Sequence, residues 1–242
     1  MSKNLLGKKM DYSVGDVISY REMCNAEEAS LQRGMNYRLR PTHSVVLMSR
    51  RINAPYNDRI EEDGRVLIYE GHDAARTKDG PDPKLVNQPL TTPSGRPTQK
   101  GQFFRAAMNV KAGESSGEPV RVYEKIHDGV WVYNGTFHLV DAWQERTSSR
   151  SVLKFQLELA DEDFDSDSTT NATDLRHSRL IPSTVKMGVW KRDGGRCREC
   201  GAKDNLHFDH IVPFSKGGSS LTIENIQLLC ARHNLKKRDK IE

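Results

Sequence analysis

The sequence predicts an α+β protein of two domains, a mostly-β N-terminal domain with flanking helices and a small C-terminal domain built around metal ligands. Three observations support this prediction. Short runs of β-branched and aromatic residues fill most of the first 160 positions of the 242-residue chain. Three of the four cysteines cluster near the C-terminus. An acidic, Ser/Thr-rich stretch at positions 161–173 separates the two parts.

The N-terminal strands are predicted from short apolar runs that Gly, Pro, Asn and Asp separate. Strands of this kind favour a barrel or sandwich over residues 10–160, with one helix near residues 20–33. The strands are expected at Ser44–Met48, Arg65–Tyr69, Val120–Tyr123, Val130–Tyr133, Phe137–Val140 and Val152–Leu159.

The acidic stretch, DEDFDSDSTTNAT, is interpreted as a linker, because it has too little apolar surface to offset the entropy of ordering it. The alternative is a long surface loop within one domain. With the linker extended by a few residues, the predicted domains are 1–160, a linker at 161–182, and 183–242. A helix is expected from Ser183 to Trp190.

Composition and charge narrow the functional classes only partly. The net charge is +4 and 36% of residues are hydrophobic, which permits a nucleic-acid partner without requiring one. Residues 184–242 carry 12 Lys/Arg against 7 Asp/Glu, as a phosphate-binding module needs. No apolar run suits a signal peptide or a membrane helix, so we expect a cytoplasmic protein with no membrane partner.

Four residues in two closely spaced pairs are typical of a structural zinc site. Cys197 and Cys200 form a C-x-x-C knuckle, and Cys230 and His233 form the second pair. A domain of about 60 residues has a small core, so a bound zinc ion would stabilise it substantially. The alternatives are buried thiols beside a surface histidine, or His207 in place of His233 as the fourth ligand.

Residues suited to phosphodiester hydrolysis lie between and after these pairs. The imidazole of His210 is a natural general base at neutral pH. The carboxylate of Asp209 and the amide oxygen of Asn234 are ligands that a hard divalent cation prefers. Taken alone, the adjacent Asp209 and His210 could equally form a solvated turn.

The segment C-x-x-C…F-D-H-I-V-P…G-G…N-I-Q-L-L-C-x-x-H-N-x-x-K resembles the HNH (ββα-metal) nuclease family over nearly its whole length. The resemblance implies a DNA endonuclease with His210 as general base and a catalytic Mg²⁺ or Mn²⁺ on Asp209 and Asn234. It also implies that Asn225 orients His210 through a hydrogen bond. His233 departs from many zinc-bearing members, which have a fourth cysteine there.

Lys237 and Arg238, after the second pair, are predicted DNA-backbone contacts. A relative that binds DNA without cutting it is the main competing interpretation. The complete set of expected catalytic residues argues against that interpretation.

The N-terminal part resembles SRA (YDG) domains over about residues 10–160. The motifs V-G-D-V, THSVVLM, YEGHD, PVRV, YNG, VDAW and VLKFQL occur in the order seen in that family. The resemblance implies a PUA-like barrel that recognises 5-methylcytosine, or its hydroxymethylated form, by flipping the base out of duplex DNA.

By the same resemblance, Tyr56 and Tyr69 would sandwich the flipped base and Asp58 would bind its amino edge. A core position is the alternative for Tyr69, because it follows a predicted strand. The YDG motif reads Tyr-Asn-Gly here, with Asn134 in place of the acidic residue. Glu70, which follows Tyr69, leaves the choice between methyl and hydroxymethyl groups open.

Together these features predict a modification-dependent restriction endonuclease acting on double-stranded DNA that carries modified cytosine. One HNH site cuts one strand, so a double-strand break implies a homodimer or two binding events. A linker of variable extension predicts loosely defined cut positions. The alternatives are a nuclease indifferent to modification and a modified-DNA reader that does not cleave.

Overall fold

The computed structural model describes residues 12–61, 65–160 and 180–237, so positions 161–179 of the predicted linker and Arg238 lie outside the described residues. The described residues of the N-terminal part, 12–61 and 65–160, contain eight strands and two α-helices. Its elements are β1 (Val17–Ser19), α1 (Tyr20–Ala26), β2 (Met35–Arg40), β3 (His43–Met48), β4 (Arg59–Glu61), β5 (Val66–Glu70), α2 (Gln99–Lys111), β6 (Glu118–His127), β7 (Val130–Arg146) and β8 (Ser151–Leu159).

The strands of this part join in one sheet in the order β2-β3-β6-β7-β8-β5-β4, and β1 pairs with β7. Strands β3 and β6 run parallel, with Ser44 opposite Val120. The other pairings of the sheet are antiparallel, including the long β7–β8 pair in which Ala142 faces Phe155. The predicted mostly-β N-terminal domain with flanking helices is confirmed.

Helix α2 packs on one face of the sheet and forms the main hydrophobic core of the N-terminal part with it. Thr98 caps its N-terminus by accepting a hydrogen bond from the backbone of Gly101. A Cβ at Gly101 would lie 1.9 Å from the carbonyl oxygen of Leu90, so only glycine permits this close approach. Phe103 and Ala107 of α2 pack against strand residues such as Phe155.

The C-terminal part is a small ββα arrangement preceded by a helix. Helix α3 (Ser183–Asp193) is followed by strands β9 (Leu206–His210) and β10 (Ile226–Cys230) and by helix α4 (Ala231–Lys237). The strands pair antiparallel with His210 opposite Ile226. Gly194 ends α3 in the left-handed region at φ 63°. Asp209 and His210 thus come at the end of one strand, and α4 follows directly from its partner.

The structure refines several predicted elements. Two predicted strands, Val130–Tyr133 and Phe137–Val140, are parts of the single long strand β7. The predicted first helix ends early, at Ala26. Leu180 and Ile181, which the prediction placed in the linker, are buried at 3% and 5% exposure because their apolar side chains pack into the two main cores. Among the described residues, no helix is long and apolar enough to cross a membrane.

Candidate nuclease centre and base cavity

The four predicted zinc ligands come together at one point. The ligand atoms of Cys197, Cys200, Cys230 and His233 all lie within 4.8 Å of one another. The Sγ atoms of Cys197 and Cys230 are each 3.4 Å from His233 Nδ1. Such separations suit four N/S ligands on a tetrahedral ion with bonds of about 2.0–2.3 Å, so the donor set fits zinc.

Local backbone structure builds this cluster. The Cys197 N–H donates to the carbonyl of Ala202 at 2.7 Å, and Gly201 turns back to the Cys197 carbonyl with φ 74°. Burial raises the pKa of the Cys197 thiol. Hydrogen bonds from the Cys230 and Cys200 backbones and from His233 outweigh burial and lower this pKa to about 6. A thiol that ionises this readily is prepared to bind a metal as thiolate.

His207, the alternative fourth ligand, is not part of the cluster. Its Nδ1 atom contacts the Asp16 carboxylate in the N-terminal part instead. Asp16 and His207 also form an isolated antiparallel bridge, so the backbone of β9 contacts the N-terminal part at the same point. His233 is therefore the histidine that completes the sulfur-rich set.

The predicted general base, His210, lies at the end of β9 with a defined side-chain partner. Its Nε2 atom is 2.7 Å from the Oγ atom of Ser220, whose residue is fully buried. A hydrogen bond to one ring nitrogen fixes the orientation of an imidazole and the tautomer available for proton transfer. Ser220 was not predicted from the sequence, because nothing in its spacing ties it to His210.

Asn225 holds together the loop that carries Ser220. Its side-chain oxygen accepts from the Val212 N–H at 2.9 Å, and its Nδ2 atom donates to the carbonyls of Val212 and Ser219. A Cβ at Gly218 would lie 1.7 Å from the Val212 carbonyl oxygen, which explains the glycine there. These contacts act on the loop backbone; the predicted orientation of His210 by Asn225 stays a prediction.

Asp209 lies beside a lysine. Its Oδ2 atom is 2.9 Å from Lys237 Nζ, and that ammonium also donates to the His210 carbonyl. The Lys237 side chain is 1% exposed and bound inside the site in this structure; its predicted contact with the DNA backbone stays a prediction. Asn234 lies one helical turn before Lys237 and shares its side of α4.

The N-terminal part contains a cavity of about 470 Å³, a size typical of small-ligand sites. Two of the predicted base-pocket residues, Tyr56 and Asp58, line it together with Met48, His72 and Trp131. The structure thus brings an aromatic ring and a carboxylate to one concave surface.

Asp58 is almost completely buried, at 7% exposure. Its carboxylate accepts hydrogen bonds from the backbone N–H groups of Ser49 and Glu70, at 3.2 and 3.0 Å. Burial raises the pKa of this carboxyl to about 7, although the two hydrogen bonds lower it. Asp58 therefore changes charge near neutral pH.

Tyr69 does not stand open for a base to stack on it. It is 1% exposed, and its hydroxyl contacts the carbonyls of Gly34 and Leu47 and the Nε2 atom of His72. The core position that was left open as its alternative describes it in this structure.

His72 lies between the two tyrosines that were predicted to sandwich the base. Its ring stacks on Tyr56 with centroids 4.8 Å apart and 17° between the planes, and it lies 6.0 Å from the Tyr69 ring. Lys84 Nζ covers Tyr56 at 4.5 Å from the ring centroid. The predicted sandwich is not formed in this structure, because His72 fills the space between the rings.

The SAD/SRA domain model matches residues 5–163, which is more than half of the chain. The chain belongs to the SAD/SRA domain family. A second family model, described as HNH endonuclease, matches residues 197–240, the segment that contains the Cys3His cluster and His210. The chain therefore combines an SRA domain with a C-terminal segment that matches HNH endonucleases.

Several solved structures are similar to this SRA protein at low sequence identity. The SUVH5 SRA domain with fully methylated CG DNA is 22% identical over 65% of this chain and 96% of its own, with a TM-score of 0.45. The same domain with fully hydroxymethylated CG DNA is 23% identical over 65% and 95%, with a TM-score of 0.46. The modification-dependent TagI restriction endonuclease is 16% identical over 93% and 76%, with a TM-score of 0.39. No curated protein matches the chain.

Glu70, which follows Tyr69 in the sequence, belongs to an internal cluster of ion pairs. Lys154 Nζ lies 2.8 Å from its carboxylate, and Arg150 binds both Glu70 and Asp73, at 3.8 and 2.6 Å. Glu70 is not among the side chains that line the cavity. The contacts of His72 were not predicted from the sequence, because its only local signal is an aromatic, polar residue just after a buried strand.

Proposed function

We propose that this SRA–HNH chain is a modification-dependent DNA endonuclease. The SRA domain would accept a 5-methylcytosine or 5-hydroxymethylcytosine flipped from double-stranded DNA, and the HNH domain would hydrolyse a nearby phosphodiester bond. The observation that supports this most directly is the pairing of two sites in one chain: a cavity lined by Tyr56 and Asp58, and a histidine beside a carboxylate at the end of β9.

The cavity has the properties that base flipping requires. A closed pocket judges the size of a cytosine substituent better than a groove contact can, and extraction of the base costs a few kcal/mol of stacking that the pocket offsets. The half-buried ring of Tyr56 offers stacking, and Asp58 offers an oxygen to the amino edge of the base. Stacking of the base on Tyr56 requires the His72 ring to leave the Tyr56 face.

A loop beside the cavity suits contact with the duplex. Arg51 lines the cavity and pairs with Asp128 at 2.8 Å, while the adjacent Ile52 is fully exposed. Apolar side chains next to basic ones are used by proteins that open base stacks. Arg50 and Ile52 in this loop are therefore expected to approach the space that the flipped base leaves.

The nuclease chemistry is assigned to residues at the end of β9 and on α4. His210, held by Ser220, would take a proton from the attacking water. Asp209 and Asn234 would hold Mg²⁺ or Mn²⁺, a fit supported by their hard oxygen atoms and by the cationic Lys237 already bound to Asp209. When bound, the ion would stabilise the charge that develops on the phosphate. The products would carry 5′-phosphate and 3′-hydroxyl ends.

The remaining parts of the proposal concern assembly and structure. Structural zinc would occupy the Cys3His cluster and stabilise the C-terminal domain. A homodimer would supply the second active site needed to break both strands. We also propose the predicted domain limits, 1–160 and 183–242, and a cytoplasmic site of action on DNA.

A digestion experiment tests the proposed function. Matched duplexes that carry cytosine, 5-methylcytosine or 5-hydroxymethylcytosine at one position are incubated with the protein and Mg²⁺ or Mn²⁺. We expect cleavage of at least one modified duplex and little cleavage of the unmodified one. Equal cleavage of all three would leave a nuclease indifferent to modification, and binding without cleavage would leave a reader.

A further inference from the structure

A buried ionic contact joins the SRA sheet to helix α3 of the C-terminal part. Lys186 of α3 extends into the sheet, where its Nζ atom lies 2.9 Å from Glu124 Oε2 and 2.7 Å from Asn134 Oδ1. Asn134 completes the triangle by donating to the same Glu124 oxygen at 3.0 Å. The Lys186 and Glu124 side chains are each 1% exposed. The asparagine of the Tyr-Asn-Gly motif thus binds the nuclease domain.

This contact demands one arrangement of the two domains. Burial by itself raises the pKa of Glu124, but Lys186 and the hydrogen bond from Asn134 lower it below its ordinary value, so Glu124 is held as a carboxylate beside Lys186. A buried charge separated from its partner is strongly unfavourable, which makes such pairs specify geometry more than they add stability. Sliding the HNH domain along the sheet would leave Lys186 and Glu124 buried without partners.

A second contact holds the strand that carries the nuclease residues. His207 binds the Asp16 side chain, and the Phe208 N–H donates to the Gly15 carbonyl at 3.2 Å. The turn at residues 15–16 is in turn hydrogen-bonded to the backbone of Tyr133 in β7. Strand β9 is therefore attached to the SRA part through the two residues that directly precede Asp209 and His210.

Apolar side chains join the same two surfaces. Ile126 of β6 and Val132 of β7 belong to one core with Val185 and Val189 of α3. The neighbours of Ile126 and Val132 in sequence, Lys125 and Trp131, line the base cavity. Successive residues of a strand point to opposite faces. The β6–β7 hairpin thus has the base cavity on one face and the nuclease domain on the other.

From these contacts we infer that the HNH domain is docked at one fixed position on the SRA domain, and that docking sets the distance from the modified base to the bond that is cut. The inference rests on the proposed function for its consequence in cleavage. It replaces the prediction, made from the acidic linker, of loosely defined cut positions. The cut bonds should fall at one or two adjacent positions on each strand.

The first experiment maps the cut bonds on a duplex with a single modified cytosine, using the full chain and a variant with ten Gly/Ser residues inserted after Ser168. If docking sets the distance, both proteins cut at the same narrow positions. If the linker sets it, the longer linker spreads or shifts the cuts. Scattered cuts by the original chain, or a shift on insertion, would overturn the inference.

A second variant pair weakens docking directly. Lys186→Met combined with Glu124→Gln removes both buried charges together, and Lys191→Met, an exposed lysine on the same helix, is the control. We expect the double variant to broaden the cut positions at least threefold relative to the control. Cut positions as narrow as those of the control would contradict the assigned role of the pair.

Hydrogen–deuterium exchange decides docking independently of cleavage. In the original chain, amides of β6 and of α3 should be protected together, and the double variant should increase exchange in both. Rapid exchange of α3 in the original chain would show that the domains are not docked. Failure of the digestion test with protected α3 and β6 would remove the proposed function and leave the docking intact.

Discussion

The base cavity and the nuclease centre each hold one of the protein's own side chains where the proposal places a ligand. In the cavity the side chain is His72, a neutral aromatic ring stacked on Tyr56. In the nuclease centre it is Lys237, a cation bound to Asp209. Each side chain matches the chemistry of the proposed ligand, a base in one case and a metal ion in the other.

The two sites therefore differ in how they must be activated. His72 leaves Tyr56 by rotating a ring, with loss of one stacking contact and one hydrogen bond to Tyr69. Lys237 leaves Asp209 by giving up an ion pair in which its own side chain is 1% exposed and that of Asp209 is 19% exposed. Base binding in the cavity is therefore expected to depend on the aromatic side chains and on pH. Cleavage at the nuclease centre is expected to depend on the metal ion and on charged side chains.

The largest effect is expected from loss of the Cys3His cluster. Cys230→Ser should release zinc and unfold the C-terminal domain, because structural zinc contributes on the order of 10 kcal/mol to folding. Zinc content by a colorimetric chelator and protease resistance of residues 183–237 measure this. Cys24→Ser, at a cysteine in α1 outside the cluster, is the control. A folded, active Cys230→Ser protein would show that the cluster has no structural role.

Loss of His210 should lower the cleavage rate more than loss of any one cavity residue lowers DNA binding. His210→Ala should lower the cleavage rate by roughly 10²–10⁴-fold, the range for loss of a general base. DNA affinity should change little, because His210 acts on water rather than on DNA binding. Single-turnover cleavage and filter binding separate the two quantities, with Asp204→Ala, an exposed residue of the same domain, as control.

Loss of the stacking surface in the cavity should weaken DNA binding without slowing the cleavage step itself. Tyr56→Ala removes the stacking surface and should weaken binding to modified DNA about tenfold or more. Tyr56→Phe keeps the ring, loses the hydroxyl contact to the Asp73 N–H, and is the matched control. Saturating DNA should restore the cleavage rate of Tyr56→Ala. Unchanged affinity for modified DNA would remove Tyr56 from the recognition site.

The smallest effect is a pH dependence of stability at His72. Burial, with a further contribution from Lys100, lowers the pKa of this imidazole to about 4. The unfolded chain, with a pKa near 6.5, then binds more protons below that value, so the folded state loses stability as pH falls from about 6.5 toward 4.

At pH 5.5 the stability lost on acidification through His72 should be on the order of 1 kcal/mol. His72→Phe removes the titrating group and keeps an aromatic ring against Tyr56. Urea denaturation at pH 7.5 and 5.5 should therefore show a smaller drop in unfolding free energy for His72→Phe than for the original chain. Equal drops would mean that the His72 ring is not confined between Tyr56 and Tyr69.

The sequence predicted those features that depend on short spacings. The zinc ligands were predictable because each pair lies within one knuckle or one helical turn. Most strands of the sheet were predictable because their apolar residues lie in short runs between turns. Helix α2 was missed, because QKGQFFRAAMNVK contains a glycine and few aliphatic residues, and packing on the sheet decides its structure.

Features that depend on distant side chains could not be predicted. The Lys186–Glu124 pair joins residues 62 positions apart, and no local pattern marks either as a partner. The position of His72 depends on how Gly34, Tyr56 and Tyr69 pack around its ring. The contact of Lys237 with Asp209 could not be predicted from residue spacing, because only the fold shows that α4 turns this lysine inward.

The ion pair between Lys237 and Asp209 has a consequence for how the enzyme responds to its environment. An ammonium held on the chain cannot diffuse away, so a metal ion must displace it to reach the Asp209 carboxylate. Metal binding at Asp209 and release of Lys237 would therefore be one exchange, and the proposed nuclease would need more free magnesium than a carboxylate without this partner.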